Sequence, residues 1–313
     1  MAISLESIHI NKRKTADYLI YICFMPKSTQ IKPFLKWVGG KTKLLSEIEK
    51  NLPETLIKKS FNYVEPFLGG GAVFFHLIQK FNIEKAYLND INDKLIDVYK
   101  DVRDKNADLI QKLKKLESDY YGSSDKKSFF LDQRERFNSL KKSTQKSALF
   151  IFLNKTGFNG MYRENSKGEY NIPFGQMKEP VICDKDLLVK VSKVLSEKEV
   201  VFSSKGFEKV LITGENSFYY IDPPYRPISK TSSFTDYTKS NFNDKTQHSL
   251  KEYCDKIDSH QALFLQSNSH SNDGFFEKLY KNRKINKLEV TRTISADGNK
   301  RKKVMEILIK NYE

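Results

Sequence analysis

Apolar residues along this chain fall into two patterns: short unbroken runs that read as buried strands, and longer stretches with apolar positions three and four apart that read as helices. Asn62-Tyr63-Val64-Glu65 predicts a strand, followed by the turn Pro66-Phe67-Leu68-Gly69-Gly70-Gly71 and a helical pattern from Ala72 to Lys80. A second strand, Ala86-Tyr87-Leu88, ends in Asn89-Asp90-Ile91-Asn92 and leads into an amphipathic stretch with Leu95, Ile96, Val98 and Tyr99 at helical spacing. From Ala107 to Phe152 charge is dense and the apolar positions are heptad-like, which predicts several helices. Two glycine-punctuated segments, 154–163 and 168–175, then read as a hairpin with aromatics and a basic tip. Strand-like runs resume at 200–202, 218–221, 262–265 and 304–309, with helices near 205–211, 245–257 and 273–280. Alternating β and α halves on either side of a helical stretch predict an α/β fold with an inserted second domain. No internal repeat or low-complexity tract interrupts the pattern.

The run Phe218-Tyr219-Tyr220-Ile221 stops at Asp222-Pro223-Pro224-Tyr225. A buried strand that ends this abruptly delivers an acid and an aromatic at its carboxyl end, the edge where ligands bind in an open α/β sheet. The prolines fix φ and remove two backbone donors, leaving a stiff turn rich in carbonyl acceptors. A carboxylate beside such carbonyls suits an exocyclic amino group, whose N–H bonds need acceptors. Tyr225 can cover the face of a flat heterocycle. Taken alone, the tetrapeptide also reads as a strand-ending turn with an Asp cap and a surface Tyr.

Composition narrows the partner. The 313 residues suffice for one large domain or a core domain with an insertion. Lys+Arg number 54 against 39 Asp+Glu, a formal charge of +15. That exceeds the roughly 2 to 8 charges that keep a small domain soluble, and points to a polyanion, most commonly nucleic acid. Because the lysines are spread along most of the chain, a lysine-decorated solvated surface is the alternative reading. Cys23, Cys183 and Cys254 lie far apart without a Cys-x-x-Cys pair, and no His-x-x-x-His spacing occurs, so neither a disulfide framework nor a metal site is expected. A reducing cytoplasm fits. Lys12-Arg13-Lys14 followed by Tyr18 to Met25 mimics an export signal, but the apolar run is too short and lacks a small-residue cleavage pattern. No later segment approaches the roughly 20 apolar residues of a membrane span. Residues 1–31 read as an N-terminal extension, a peripheral strand or arm, with Met25 an alternative initiator.

The glycine turn fails the dinucleotide fingerprint, because Gly-x-Gly-x-x-Gly from Gly69 would need glycine at Phe74, so NAD is disfavoured. Three consecutive glycines still let a ligand approach the backbone at a helix N-terminus. Asp90 follows them by roughly 20 residues, the separation at which a βαβ unit reaches ribose hydroxyls. Gly39-Gly40-Lys41-Thr42 resembles the tail of a phosphate-binding loop, yet the first glycine of that motif would fall on Leu35. What remains is a loop carrying Lys36, Trp37 and Lys41.

Phe34-Leu35-Lys36-Trp37-Val38-Gly39-Gly40-Lys41, Glu65-Pro66-Phe67-Leu68-Gly69-Gly70-Gly71-Ala72-Val73, Asn89-Asp90-Ile91-Asn92 and Asp222-Pro223-Pro224-Tyr225, in this order, resemble the motifs of Dam-type (α-group) DNA adenine N6-methyltransferases. The stretch Phe158 to Asn165 with Asn171-Ile172-Pro173-Phe174-Gly175 is similar to that family's target-recognition hairpin, and the match runs from about Phe34 to the C-terminus. Pro227-Ile228-Ser229 and the ending Ile307 to Glu313 look closest to the DpnII-type GATC branch. The resemblance implies a Rossmann-like S-adenosylmethionine-dependent methyltransferase sheet with an inserted, mostly helical target-recognition domain carrying a β-hairpin. By it, residues 32–104 form the cofactor-binding part and 105–198 the recognition domain, with its hairpin at 157–176. Residues 199–313 return to the catalytic domain.

By the same resemblance, S-adenosyl-L-methionine is the cofactor and no metal is required. Trp37, Lys41, Asp90 and Asp222 would contact it, with Asp90 on the ribose, Phe67 near the adenine, and Glu65, Gly69 and Gly71 completing the site. Asp222, Pro223, Pro224 and Tyr225 would carry catalysis on a flipped adenine. Phe158 stands where the family places an aromatic wedge, most often Tyr; it loses the hydroxyl and keeps the stacking face. Arg163 matches the guanine reader and Lys36 a contact to the other outer guanine, which together imply GATC. Met161 and Pro173 would touch a thymine methyl, with Asn159 and Asn165 as further DNA contacts. Arg226, Lys230, Lys239 and Lys300-Arg301-Lys302-Lys303 read equally as phosphate contacts or as solvated surface cations, and the Ser/Thr-rich stretch from Ser229 to Asn243 reads as a loop that orders on DNA. The implied partners are double-stranded DNA and a cognate restriction endonuclease encoded alongside, without direct binding between the two proteins. A monomer is the simplest expectation. The rivals are a cytosine-N4 or other amino-methyltransferase, which the Asp of the tetrapeptide disfavours, and a catalytically inactive DNA-binding relative, which intact Asp222, Tyr225 and Asp90 disfavour.

Overall fold

The computed structural model describes residues 30–226, 242–291 and 303–313. The expectations placed on Met25, Cys23, Pro227-Ile228-Ser229, Lys230, Lys239 and Lys300-Arg301-Lys302 lie outside the described residues, as does nearly all of the 229–243 loop.

Strands β1 (Phe61–Glu65), β2 (Ile83–Asn89), β3 (Glu199–Ser203), β4 (Ser217–Ile221), β5 (Leu263–Ser269), β6 (Lys284–Thr291) and β7 (Lys303–Lys310) form one sheet in the order β3-β2-β1-β4-β5-β7-β6. β1 to β5 run parallel, and β7 inserts antiparallel between β5 and β6. The chain moves outward from β1 to β3 and then returns to the other side of β1 as β4. Order reverses there, and the crevice at the carboxyl ends of β1 and β4 is the expected ligand site.

Side chains alternate between the two faces of a strand. On one face Phe61 and Tyr63 of β1, Ala86 and Leu88 of β2, Phe218 and Tyr220 of β4, Leu265 of β5 and Leu308 of β7 join one apolar cluster. The opposite face buries Val64, Tyr219, Ile221, Phe264, Ile307 and Ile309 in a second.

Helices α1 (Leu45–Lys50), α2 (Glu54–Lys58), α3 (Ala72–Leu77) and α4 (Asp93–Asp104) accompany the first strands. α5 (Asn106–Gly122), α6 (Lys126–Ser139), α7 (Thr144–Thr156) and α8 (Lys185–Glu197) fill the span between β2 and β3. Their buried residues, among them Leu113, Phe130, Phe150, Phe152 and Val191, belong to the same cluster as Leu88 and Phe218, so the helical insertion shares its core with the sheet. α9 (Asp244–Ser259) and α10 (Phe275–Leu279) cover the other face. Polar residues set several helix starts: Asn92, Asp125, Ser143, Asp184 and Asn243 each accept a backbone N–H of the first turn.

Several elements differ from the sequence pattern. The helix expected to Lys80 stops at Leu77, and the one expected near 205–211 is a single 3₁₀ turn, Phe207–Lys209. β5 extends past Leu265 to Ser269, because Gln266, Ser267, Asn268 and Ser269 are buried and pair with β7. β6 and α8 carry no element in the sequence reading. β6 is an edge strand interrupted by lysines, which suits an edge and hides the alternation. The hairpin is irregular: only the bridges Gly157↔Phe174 and Glu164↔Tyr170 pair antiparallel, and a 3₁₀ turn at Phe158–Gly160 bends the chain between them.

Candidate active site

The alternation that builds the core also builds the site. On the core face, β1 continues Phe61-Tyr63 to Glu65, β2 continues Ala86-Leu88 to Asp90, and β4 continues Phe218-Tyr220 to Asp222. β5 continues Leu265 to Ser267, and the antiparallel β7 brings Glu306, two residues before Leu308, to the same edge. A row of acids and a hydroxyl therefore lines the carboxyl edge across the switch point.

Asp222 is held at both oxygens. Its Oδ1 accepts the Ser267 hydroxyl at 2.7 Å, and Ser267 in turn lies 3.2 Å from the Tyr220 hydroxyl. Its Oδ2 lies 2.8 Å from the Lys41 ammonium, which also donates to the Gly39 carbonyl at 2.7 Å. The same ammonium sits 4.7 Å from the centre of the Tyr225 ring. Carboxylate and π-face thus stand together, the two features that an aromatic amine also needs. Pro223 is buried, Pro224 exposed and Tyr225 half-buried. The Tyr225 hydroxyl donates to Glu306 Oε2 at 2.7 Å, and burial, then the neighbouring charge of Asp222, pushes the phenol pKa well up, so the group stays a donor.

Asp90 closes the glycine turn. Its Oδ2 accepts the Gly69 N–H at 2.9 Å and its Oδ1 the Asn92 N–H at 2.9 Å, leaving the remaining lone pairs free for a diol. Burial raises its pKa, and the two backbone N–H groups oppose that rise. Gly69 and Gly71 both have positive φ, 50° and 69°. A Cβ on Gly69 would lie 2.7 Å from the Trp37 ring, and one on Gly71 2.9 Å from the Tyr99 hydroxyl, which donates to the Gly69 carbonyl. Trp37 stacks on Tyr162 and Phe150, with centroids 6.0 and 6.5 Å away. Phe67 packs against Phe207 and Phe242. An acceptor for a diol, a close-approach backbone and aromatic walls are features that fit S-adenosylmethionine.

Glu65 is 2% exposed and accepts the Tyr63 hydroxyl at 2.9 Å. Burial first, then the Asp222 and Asp90 charges, raises its pKa well above the ordinary value, with the Tyr63 hydrogen bond opposing. A raised folded value means that the fold favours the protonated acid. The stability from this group is therefore complete below its unfolded pKa of about 4.3 and is lost as pH rises through the folded value. Glu65→Gln keeps the shape without the charge. Its melting temperature is expected to match wild type near pH 4 and to exceed it by a few °C, on the order expected for about 1 kcal/mol, as pH rises to 8. Melting curves that stay parallel over this range would contradict the assignment.

Lys36 and the hairpin form one unit. Asn154, 3% exposed, accepts the Lys36 N–H at 2.9 Å and donates to the carbonyls of Lys36 and Gly160 at 2.7 and 3.0 Å. Gly160, at φ 63°, packs so closely that a Cβ would lie 2.4 Å from that of Lys36. Phe158 is 46% exposed at the open end of the hairpin, next to the Gly157↔Phe174 bridge and beside exposed Asn159 at φ 54°. Arg163 donates to the Asn171 side chain at 2.8 Å. Met161 is half-buried against the core and Pro173 exposed, its carbonyl accepting the Phe158 N–H. Asn165 is spent on the turn, accepting the Lys167 and Glu169 N–H groups and donating to the Glu169 carboxylate. Lys155, adjacent to Asn154, has its pKa pushed down to about 8 by burial and by the charge of Lys36.

The structure thus brings Trp37, Lys41, Glu65, Gly69, Gly71, Asp90, Asp222 and Tyr225 around the switch point, and gathers Lys36, Phe158, Asn159, Met161, Arg163 and Pro173 on the hairpin side. Arg226 differs from its expected role. It makes a two-pronged pair with Asp244 at 2.6 and 3.0 Å, reaches Asp273 at 2.6 Å and lies over Phe275 at 4.2 Å, so it anchors the chain after Tyr225 instead of presenting a free cation. Sequence reasoning missed Ser267, Glu306 and the clamp by Asn154. The available signals were Glu306 within the apolar run 304–309 and Asn154 on the apolar helix ending at Thr156; the polar stretch 266–269 gave none for Ser267.

Among the described residues no helix is long and apolar enough to cross a membrane. Residues 37–294 match the family model described as D12 class N6 adenine-specific DNA methyltransferase. The type II methyltransferase M.MjaIII of Methanocaldococcus jannaschii is 44% identical over 293 residues, spanning 90% of this chain and 100% of that protein. M1.LlaDCHI, a type II methyltransferase of Lactococcus lactis subsp. cremoris, is 37% identical over 287 residues, spanning 90% of this chain and 96% of its own. A DNA adenine methylase of Vibrio cholerae is 31% identical over 275 residues, spanning 88% and 94%.

Proposed function

We propose that this chain, which belongs to the D12 class of N6 adenine-specific DNA methyltransferases, methylates the adenine of GATC in duplex DNA with Asp222, Pro223 and Tyr225 as its catalytic groups. S-adenosyl-L-methionine, the donor that the family implies, supplies a methyl group on a sulfonium that leaves as a neutral thioether.

An adenine inside a duplex has to be flipped out, at a cost of a few kcal/mol. Stacking on the Tyr225 face recovers roughly 1–3 kcal/mol of this. Asp222 and the Pro223 carbonyl accept the two N6 hydrogens and aim the nitrogen lone pair at the methyl group. Transfer is then a direct in-line displacement governed by positioning and electrostatics. No dedicated base is assigned, because the proton leaves after the new N–C bond has formed. The observation that carries this reading is the fixing of Asp222 at both oxygens, by Ser267 and Lys41, beside the Tyr225 ring. Asp90 takes the ribose hydroxyls, with Trp37, Phe67 and the Gly69–Gly71 turn around the cofactor.

What supports GATC is the linkage of Lys36 to the Arg163 hairpin through Asn154 and Gly160, which puts two guanine-reading cations on one rigid unit. Phe158, exposed at the open end of the hairpin, is the wedge. The setting as the methylase of a restriction-modification system is supported by relatives named type II methyltransferases. One chain that carries every motif supports a monomer acting on cytoplasmic DNA.

Arg163→Ala tests the site assignment. Measured as kcat/KM on duplexes with single base changes in GATC, discrimination at one guanine is expected to fall by about 1–3 kcal/mol while the other positions hold. Equal weakening on every sequence would make Arg163 a phosphate contact.

A further inference from the structure

Glu306 ends the row of acids at the carboxyl edge, and neither the cofactor nor the DNA contacts require it. It lies on β7, opposite Ser269 of β5 and Leu288 of β6, and is 7% exposed. An acid in the middle of a sheet is otherwise unfavourable, since burying a charge needs a partner. Its partner is the Tyr225 hydroxyl at 2.7 Å.

We infer that Glu306 is a positioning residue for methyl transfer: by accepting the Tyr225 hydroxyl it sets the ring plane on which the flipped adenine stacks. The inference rests on the reading of Tyr225 as the stacking surface.

Tyr225 follows two prolines that fix the backbone before it, while its own side chain can still turn about two bonds. A hydrogen bond to a carboxylate is short and directional; it pins the phenol oxygen against rotation about Cα–Cβ, and because a phenol O–H lies in the plane of its ring, an acceptor at a fixed position also orients the ring about Cβ–Cγ. Lys41 lies over the ring and ties its position to Asp222. Glu306, Tyr225, Lys41 and Asp222 therefore form one connected array, so a ring turned away from Glu306 also leaves the carboxylate that receives the amino group. Small displacements of this kind cost up to about a hundredfold in rate. Glu306 touches no reacting atom; its effect passes through the phenol oxygen.

The test compares Glu306→Gln, Glu306→Asp and Glu306→Leu in the full chain, alone and with Tyr225→Phe, by methyl transfer at saturating S-adenosylmethionine. Glu306→Gln keeps reach and an acceptor and is expected to stay within about threefold of wild type. Glu306→Asp keeps the charge, but its shorter reach misses the hydroxyl. It and Glu306→Leu are expected to lower kcat on the order of ten- to hundredfold, with cofactor affinity unchanged. In the Tyr225→Phe background the same changes are expected to have little further effect, since contacting residues are non-additive when one acts through the other. Should Glu306→Leu fail to fold, the Gln–Asp contrast carries the test. Equal losses in both backgrounds, or a Glu306→Asp enzyme as fast as wild type, would overturn the inference. Tyr225→Ala is the control for the reading beneath it: full activity there would remove the stacking role itself, whereas a loss there with indifferent Glu306 variants would sink the inference alone.

Discussion

Replacing Asp222 by Ala is expected to lower kcat for methyl transfer by about 10²–10³-fold, the loss typical of removing one group that stabilises a transition state electrostatically, while duplex binding remains measurable. Asp222 is the point where the chemistry and the array around it meet. Its removal deprives the amino group of an acceptor and leaves Lys41, 6% exposed, with the Gly39 carbonyl and the Tyr225 ring but no counter-charge. Part of any loss in the Ala variant could therefore come from a disturbed site. Asp222→Asn separates the two effects, because Asn keeps the size and can turn its carbonyl toward Lys41 and its amide toward the Ser267 oxygen. It is expected to melt close to wild type and still to turn over more slowly, as read by thermal denaturation and single-turnover transfer on one preparation. Normal turnover by Asp222→Ala would remove the carboxylate from the mechanism.

Gly69→Ala is expected to weaken S-adenosylmethionine binding by about 5- to 150-fold, corresponding to 1–3 kcal/mol of backbone strain. Gly69 joins three parts of the proposed cofactor site: its N–H is held by Asp90, its carbonyl receives the Tyr99 hydroxyl, and a Cβ would strike the Trp37 ring at 2.7 Å. The φ of 50° adds strain for any side chain. Gly39→Ala is the matched control, since Gly39 has φ 81° yet a Cβ there meets nothing within 4 Å. Titration followed by the fluorescence of Trp37, the only tryptophan in the chain, checks both variants directly. Equal affinities for Gly69→Ala and Gly39→Ala would show that contact with Trp37 does not shape the site.

The family motifs pointed to Glu65, Asp90 and Asp222, and strict strand alternation explains why they share an edge. Once Tyr63, Leu88 and Tyr220 are taken as core, Glu65, Asp90 and Asp222 have to follow on the same face, and turn chemistry stops the strands there. Ser267 and Glu306 escaped because Gln266-Ser267-Asn268-Ser269 has the composition of a loop and Glu306, within the run 304–309, looks like an outward-facing polar residue; only the pairing of β5 with β7 makes them interior. The ion pairs of Arg226 were hidden for a related reason. Its partners Asp244 and Asp273 lie 18 and 47 residues away in the chain, a separation that no local pattern discloses. The hairpin was visible as a glycine-punctuated pair of segments, whereas its 3₁₀ turn at Phe158 depends on packing of Gly160 against Lys36. β6 stayed hidden because an edge strand with lysines loses the period-two signal.

The most direct test is transfer of labelled methyl from S-adenosyl-L-methionine to otherwise identical duplexes with and without GATC, followed by nucleoside analysis of the product. Label is expected in N6-methyladenine, confined to the GATC duplex. Label in the adenines of both duplexes would contradict the assigned site, and label in cytosine would contradict the chemistry.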